Sequence, residues 1–324
     1  MLPQNIYDNF VSYGFDEYIK TFQNYNFYNK SKMEQELEIL QAQLDEASQQ
    51  AVTDFLDLML KLPLPSSNFL IKKSHLYTPN DLKKIKIEGE FYKQIQQYYK
   101  IYNLQGDEKL EVNIFKYHCG LKLLPKEIIK GLKDKVFIDG GAFWGDSALI
   151  INKYHPHSII CFEPNTVNYK KLQQTLENNN LMDKSKLINY GLTAKEQDAG
   201  NYEKELYYLS QRQNHGASFI FKAKKAKKEM VKLIALDDYI MQENKNQIVG
   251  LIKLDVEGMG VEAIKGAANI IKAYKPIISC AIYHNPQEFF KIKPLLTQYN
   301  EDYKFMIVAL NSNFILKELT LLAY

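Results

Sequence analysis

The run Val136-Phe137-Ile138-Asp139-Gly140-Gly141-Ala142-Phe143-Trp144-Gly145-Asp146-Ser147 leaves this chain few folds to choose from. An apolar β-branched and aromatic segment ends in an acid, a glycine-rich turn follows, and Ser147-Ala148-Leu149-Ile150-Ile151 opens an apolar helix. β-Branched and aromatic side chains suit a pleated strand, and glycine accepts the positive φ of a tight turn. The helix N-terminus behind the turn presents unpaired N–H groups and a partial positive charge to a carboxylate or phosphate. Strand, turn and helix together make the first unit of a nucleotide-binding α/β sheet. Glycines at Gly140, Gly141 and Gly145 lack the G-x-G-x-x-G spacing of a dinucleotide site. Taken alone, the stretch also suits a strand-turn-helix that binds nothing, because glycine pairs are common turn formers.

From about residue 116, short apolar runs alternate with helical segments, the rhythm of a parallel sheet with helices on both faces. The strand candidates are Val136–Asp139, Ser158–Glu163, Lys186–Tyr190, Val231–Leu236, Val249–Asp255, Pro276–Tyr283, Tyr303–Leu310 and Phe314–Ala323. Only Asn311-Ser312-Asn313 separates the last two, so they are expected to form an antiparallel hairpin. The predicted fold class is α/β: a mostly parallel, Rossmann-like sheet with an antiparallel C-terminal hairpin.

The first third reads as mostly helical, with residues 1 to about 30 mixed. Ser31-Lys32-Met33-Glu34 is a capping box, in which serine and glutamate satisfy each other's free N–H groups. Behind it Leu37, Leu40, Leu44, Ala47, Ala51, Phe55, Leu58 and Leu62 recur at steps of three and four, predicting one long amphipathic helix ending before Pro63. Packing on its own domain is expected, because the repeat lacks the length and ordered e/g charges of a zipper. A homo-oligomer through this helix is the alternative. Residues 63–68 read as a loop, 81–102 as another helix with Phe91, Ile95, Tyr98 and Tyr99 on one side, and 105–108 as a turn. Residues 1–115 are thus expected to form a cap or oligomerisation arm before a domain spanning 116–324.

Composition narrows the class. The 324 residues are 46% hydrophobic and 24% charged, which predicts a well-buried globular core. A net charge of +3 is too near neutral to argue for nucleic acid. The basic run at Lys222, Lys224, Lys225, Lys227 and Lys228 lacks a set of aromatics for base stacking and reads as a solvated face. Cys119, Cys161 and Cys280 have no metal spacing, and the last two sit in apolar runs, which fits a reducing compartment. The N-terminus lacks signal-peptide regions, and no apolar run approaches the roughly 20 residues of a membrane span. A cytoplasmic protein without a membrane span is expected.

Three strand ends carry chemistry. Glu163 stands at the C-terminal edge of the second strand beside the glycine turn, where a carboxylate can accept both ribose hydroxyls of an adenosine. Its alternative role is an N-terminal charge for the helix at 166–178. Asp255 and Glu257 follow a later strand, at the edge that lines the ligand crevice in such sheets; capping the next helix is the alternative. His284 ends the following strand and is a reasonable proton acceptor near pH 7; the alternative is a turn histidine bonded to the backbone. His155 and His157 read as exposed, His118 and His215 as near the crevice, and His75 carries no signal. No His/Cys group has zinc spacing, so no metal site is expected; a divalent cation on the two acids, lowering a hydroxyl pKa, is the alternative, but no third clear ligand indicates one.

With these residues in view, the chain resembles the FkbM family of S-adenosylmethionine-dependent methyltransferases. The resemblance is carried by Phe137 to Ser147, Phe162-Glu163-Pro164-Asn165, Leu236-Asp237-Asp238, Ile252 to Gly258, Gly266-Ala267 and Leu321 to Tyr324, in order over residues 116–324. It implies a class I methyltransferase fold with a seven-stranded sheet. It places Asp139, Gly141 and Ala142 against the methionine part of S-adenosylmethionine and Glu163 at the ribose, with Gly140, Phe143 and Pro164 also lining the cofactor. It further implies Ser147 on the methionine carboxylate, Asn189 near the adenine, and a contact from Tyr117-His118-Cys119-Gly120-Leu121. Asp255, Glu257 and His284 are then the candidates for base or for hydroxyl orientation, and the expected acceptor is a hydroxyl of a sugar, glycan or secondary metabolite. One departure stands out: where the family usually places another glutamate after Gly258, this chain has Gly260, with Glu262 two residues on. That gap motivates an alternative, a non-catalytic S-adenosylmethionine-binding regulatory or interaction subunit. A nicotinamide oxidoreductase is disfavoured by the glycine spacing and the C-terminal hairpin.

Overall fold

Apolar strands that are buried on both faces build the centre of this molecule. The computed structural model describes residues 15–62, 77, 79–93, 95–103, 111–195, 202–208, 227–243, 247–312 and 318–324. The expectations for residues 63–68 and 105–108, for His75 and His215, and for Lys222, Lys224 and Lys225 lie outside these residues. In chain order the elements begin with helices α1 (Phe15–Gln41), α2 (Glu46–Lys61), α3 (Pro79–Lys93) and α4 (Ile95–Ile101). Then come β1 (Val136–Gly140), α5 (Asp146–Ile151), β2 (Ser158–Phe162), α6 (Thr166–Asn178), β3 (Ser185–Ile188), β4 (Gly191–Leu192), β5 (Tyr202–Tyr208) and β6 (Lys227–Ile234). The chain continues through α7 (Leu236–Glu243), β7 (Val249–Leu254), α8 (Gly260–Lys265), α9 (Ala268–Tyr274), β8 (Ile277–Ala281), α10 (Pro286–Tyr299), β9 (Phe305–Ala309) and β10 (Leu319–Ala323).

Seven strands form one sheet in the order β3-β2-β1-β7-β8-β10-β9. All neighbours are parallel except β10, which runs antiparallel to both β8 and β9. The strand order reverses between β1 and β7, and in open α/β sheets ligands bind at the carboxyl edge of such a switch point. Side chains alternate across the sheet: Val136 and Ile138 join one core layer, Phe137 the other. The first layer also contains Ile19, Phe22, Phe55 and Met59 of α1 and α2 with Phe289 and Phe290 of α10. The second holds Leu149 of α5 and Leu172 and Leu176 of α6.

Three sequence expectations change. The candidate at Val231–Leu236 is a strand, but it belongs to β6 in a separate three-stranded sheet ordered β4-β6-β5. Lys227, Lys228, Glu229 and Lys232 give β6 charged positions that a central strand, buried on both faces, would not tolerate. The C-terminal pair is antiparallel, yet Leu319 pairs with Ala309, so the connection is longer than Asn311-Ser312-Asn313. The single long helix is two. Gln43 takes φ 61°, and Asp45 restarts the helix by accepting from Ser48 N at 2.7 Å. Within α1 the backbone leaves helical geometry at Asn29 (φ −140°, ψ 33°), just before the expected capping box. The apolar stripe is covered within the chain: Leu40, Leu44, Phe55 and Leu62 are all buried.

Candidate functional site

The glycine turn is fixed from three sides. Gly141 N and Ala142 N donate to Phe162 O at 2.9 and 3.0 Å, tying the turn to the end of β2. Asp255 N donates to Gly140 O at 3.0 Å, tying it to the end of β7. Gly141 (φ 71°) lies so close to β7 that a Cβ there would stand 1.8 Å from Asp255 O, which explains why this position is glycine. Beneath the turn Asp139, fully buried, accepts from Ser147 Oγ at 2.6 Å and pairs with Lys253 Nζ at 3.0 Å. Lys253 also donates to Gly141 O at 2.8 Å. Burial disfavours the Lys253 ammonium, but Asp139 and Asp255 outweigh it and hold its pKa above the usual lysine range. The hydroxyl proton of Ser147 is therefore directed to Asp139, and its N–H to Asp146 Oδ1 at 2.9 Å.

Glu163 sits where β2 ends, only 4% exposed. Its Oε2 accepts from Phe143 N at 2.9 Å and its Oε1 from Asn165 N at 3.0 Å. Phe143 reaches it by adopting a left-handed φ of 47°, an uncommon conformation for a bulky residue that recurs at functional sites. Burial pushes the Glu163 carboxyl up to about 7, against the pull of the Asn165 and Phe143 N–H groups. Pro164 is half-buried beside it. Asn189 donates Nδ2 to Glu163 O (2.8 Å) and Pro164 O (3.0 Å), so it holds the backbone of this turn. Asn165 caps α6 by accepting from Val167 N and Asn168 N, which leaves Glu163 free of that capping duty.

Asp255, Glu257 and His284 converge. His284 Nε2 lies 3.3 Å from Asp255 Oδ1 and 3.8 Å from Glu257 Oε2. The other ring nitrogen, Nδ1, is 2.9 Å from Glu288 Oε2 one turn into α10. Glu288 is itself 1% exposed and takes Gly260 N–H on Oε1 at 2.7 Å. Tyr18 of α1 donates its hydroxyl to Glu257 Oε2 at 2.9 Å. Burial would favour a neutral imidazole, but Glu288, Asp255 and Glu257 raise the His284 pKa well above its ordinary value. Burial would likewise raise Asp255, yet His284 and Lys253 hold it below the usual carboxylate range. Burial raises Glu257, against the pull of His284.

Other expected positions fall elsewhere. His118 is buried against Tyr154 (Nδ1 to hydroxyl 2.8 Å) and kept neutral, its pKa lowered to about 3 by burial, Lys122 and Lys153. The Tyr117–Leu121 segment packs on the sheet, with Cys119 O accepting from Ser279 Oγ at 2.7 Å. His155 and His157 are exposed, as expected. Asp237 caps α9 by accepting from Asn269 N and Ile270 N at 2.9 and 3.0 Å. Glu262 faces outward and pairs with Lys265 at 2.8 Å, away from the gap at Gly260. Sequence reasoning missed Tyr18 and Glu288. The only signal for Glu288 was its i+4 spacing from His284 across a helix start, which Asn285 caps at Glu288 N (2.9 Å).

Comparison with solved structures gives the fold. A Methyltransferase FkbM from Methylobacillus flagellatus KT matches with 15% identity and a TM-score of 0.55, over 94% of this chain and 61% of that one. The present chain thus spans less than two thirds of that relative. A precorrin-6y C5,15-methyltransferase from Geobacter metallireducens GS-15 matches at 13% identity and TM-score 0.36, over 59% of this chain and 72% of its own. A Streptococcus mutans structure solved in complex with SAH matches at 10% identity and TM-score 0.37, over 66% and 98%. No curated protein sequence matches. Residues 139–314, from the acid before the glycine turn to just past β9, match the Methyltransferase FkbM domain. That match covers more than half the sequence, and the chain belongs to the FkbM methyltransferase family.

Proposed function

We propose that this protein transfers a methyl group from S-adenosylmethionine to a hydroxyl of a sugar, glycan or secondary metabolite. The observation that carries the reading is the direct contact between the glycine turn and the acid cluster, Asp255 N to Gly140 O at 3.0 Å. Two sites, one suited to a nucleoside and one to proton chemistry, thereby share a single crevice edge at the sheet's switch point. The residues fit the donor. Each Glu163 oxygen accepts one backbone N–H and keeps a lone pair for a ribose hydroxyl. Lys253 cancels the buried Asp139 charge under the turn, leaving Gly141 and Ala142 backbone to line the methionine end.

When bound, S-adenosylmethionine supplies an already electrophilic sulfonium methyl, so the protein's task is alignment and proton removal. The group formed by Asp255, Glu257 and His284 orients the acceptor hydroxyl and receives its proton. Glu288 and Tyr18 hold that group in place through His284 Nδ1 and Glu257 Oε2. Residues 1–115 serve in this reading as an arm that completes the rim of the site, since Tyr18 belongs to α1. The non-catalytic alternative drew on the missing glutamate at Gly260, and Glu288 now supplies a carboxylate at that point. Calorimetric titration with S-adenosylmethionine, S-adenosylhomocysteine and NAD tests the donor. Binding of the first two, weakened at least about tenfold in Glu163→Ala, is expected; binding of NAD alone sinks the reading. Donor consumption in a cell extract, lost in Asp255→Asn, separates the enzyme from a binder.

A further inference from the structure

We infer that Asp255, Glu257 and His284 form a binding site for one divalent first-row transition ion, with Mn²⁺ the best match, and that Glu288 sets His284 for it. The three side chains offer ligand atoms that all lie within 4.8 Å of one another. The Asp255–His284 spacing matches a shared ion, and Glu257 stands somewhat wider. Two ligand atoms each ~2.1 Å from one ion stand ~3.0 Å apart at a right angle and ~3.4 Å apart at the tetrahedral angle. His284 Nε2 stands 3.3 Å from Asp255 Oδ1 and 3.8 Å from Glu257 Oε2.

An acid cluster alone would not carry the inference; the histidine does. His284 is 1% exposed, and its Nε2, aimed between the two carboxylates, has no hydrogen-bond partner among the described residues. The facing Asp255 Oδ1 has none either. In the ion-free chain a proton on Nε2 faces Asp255 Oδ1 across 3.3 Å, and a divalent ion would take that proton's place, since metal binding releases protons from its ligands. Glu288 Oε2 takes the Nδ1 side at 2.9 Å, so Nδ1–H donated there leaves the Nε2 lone pair pointing at the site. This carboxylate–histidine arrangement is the one that orients imidazole ligands toward metals. Glu288 is fixed in turn by Gly260 N–H at 2.7 Å, and a Cβ at Gly260 would come within 2.8 Å of its Oε1. Gly260 is thus the space in which Glu288 sits.

The site is open on one side. Asp255 and Glu257 side chains remain 31% and 26% exposed, giving an ion and exchangeable water a way in. Two hard carboxylates with one imidazole suit Mn²⁺ and its neighbours better than Ca²⁺, which takes oxygen ligands, or a thiolate-seeking soft ion. The use of such an ion, polarising the acceptor hydroxyl, rests on the methyl-transfer reading; the binding site does not.

The test uses the purified full chain, stripped by chelation and dialysed, with Mn²⁺ followed by loss of the free-ion electron paramagnetic resonance signal. One ion per chain is expected. Asp255→Asn and Glu257→Gln should each weaken binding more than about tenfold, and Glu288→Gln about 10–100-fold. Glu262→Gln, altering a nearby acid outside the cluster, should leave binding unchanged. Failure of Mn²⁺, Co²⁺ and Zn²⁺ to bind the wild-type chain up to roughly 1 mM overturns the inference. So does binding that survives in both Asp255→Asn and Glu257→Gln. S-adenosylmethionine is titrated in parallel with chelator present: donor binding without ion binding sinks only the ion site, and ion binding without donor binding sinks only the methyl-transfer reading.

Discussion

At Glu163 burial and hydrogen bonding pull in opposite directions, and the balance is testable. Burial dominates and brings the carboxyl from 4.5 to about 7. A carboxyl whose folded pKa is raised favours the native state below its unfolded pKa, and that stability is lost as pH rises through the folded value. Fold stability from this group therefore declines between about 4.5 and about 7. Donor affinity should run the other way, because only the carboxylate can accept from both ribose hydroxyls. Calorimetry from about pH 6 to about pH 8 should show S-adenosylmethionine binding tighten, and Glu163→Gln should bind weakly with a flat profile. Glu163, Asp255 and His284 were legible in the sequence because each ends a strand, where backbone direction alone puts a side chain at the crevice. Tyr18 and Glu288 were not. Tyr18 meets Glu257 across 239 positions of sequence, and no local pattern encodes such a contact. Lys253 was visible as a lysine among acids, but its work under the glycine turn needs the β1–β7 pairing, in which it stands beside Asp139.

Among the elements, α1 and α10 depend on each other. Phe22 of α1 meets Phe55 of α2 and Phe289 of α10 edge-on at 5.5 and 5.7 Å, and Lys291 pairs with Glu36 across the same interface. α10 carries Glu288, so packing by the N-terminal helix bears on the position of a residue at the site. Phe22→Ala should cost ~3–5 kcal/mol, the usual loss for a buried phenylalanine. A lower urea midpoint with an unchanged slope would show it, and a midpoint near wild type would contradict the packing argument. The periodicity of α1 and α2 found Leu40, Leu44, Phe55, Leu58 and Leu62 of the buried face but put exposed Ala47 on it, and it missed the boundary between the helices. A three-to-four spacing passes through a short break unnoticed when the residues on both sides face the same core. Asp45 was the available signal, a capping aspartate inside an apparently continuous pattern.

For the whole molecule, the sheet was readable because its strands are nearly continuous apolar runs bounded by turn residues. The second sheet was not, because β6 looks like any other short apolar run until its charged positions are set against the burial that the central sheet demands. The packing of the N-terminal helices onto the central sheet has a thermodynamic consequence. Tyr18, Phe22, Phe55 and Met59 lie in the same core layer as Val136, Ile138, Ile252 and Ile278 of the central sheet. Shared burial of that kind couples unfolding, so scanning calorimetry should show one transition, coincident with loss of circular dichroism. Two separated transitions would mean that the arm and the sheet domain are independent units. Among the described residues no helix is long and apolar enough to cross a membrane.

The pairing of Gly260 with Glu288 changes what the motif after β7 means. Two residues past Gly258 stands Gly260 rather than an acid, yet a carboxylate reaches its N–H from 28 positions downstream. The carboxylate at that point in space comes from another helix, α10. Relatives that carry glycine here should be sought by a compensating acid four residues after the strand-end histidine, and those that keep the glutamate should be free to lose it there.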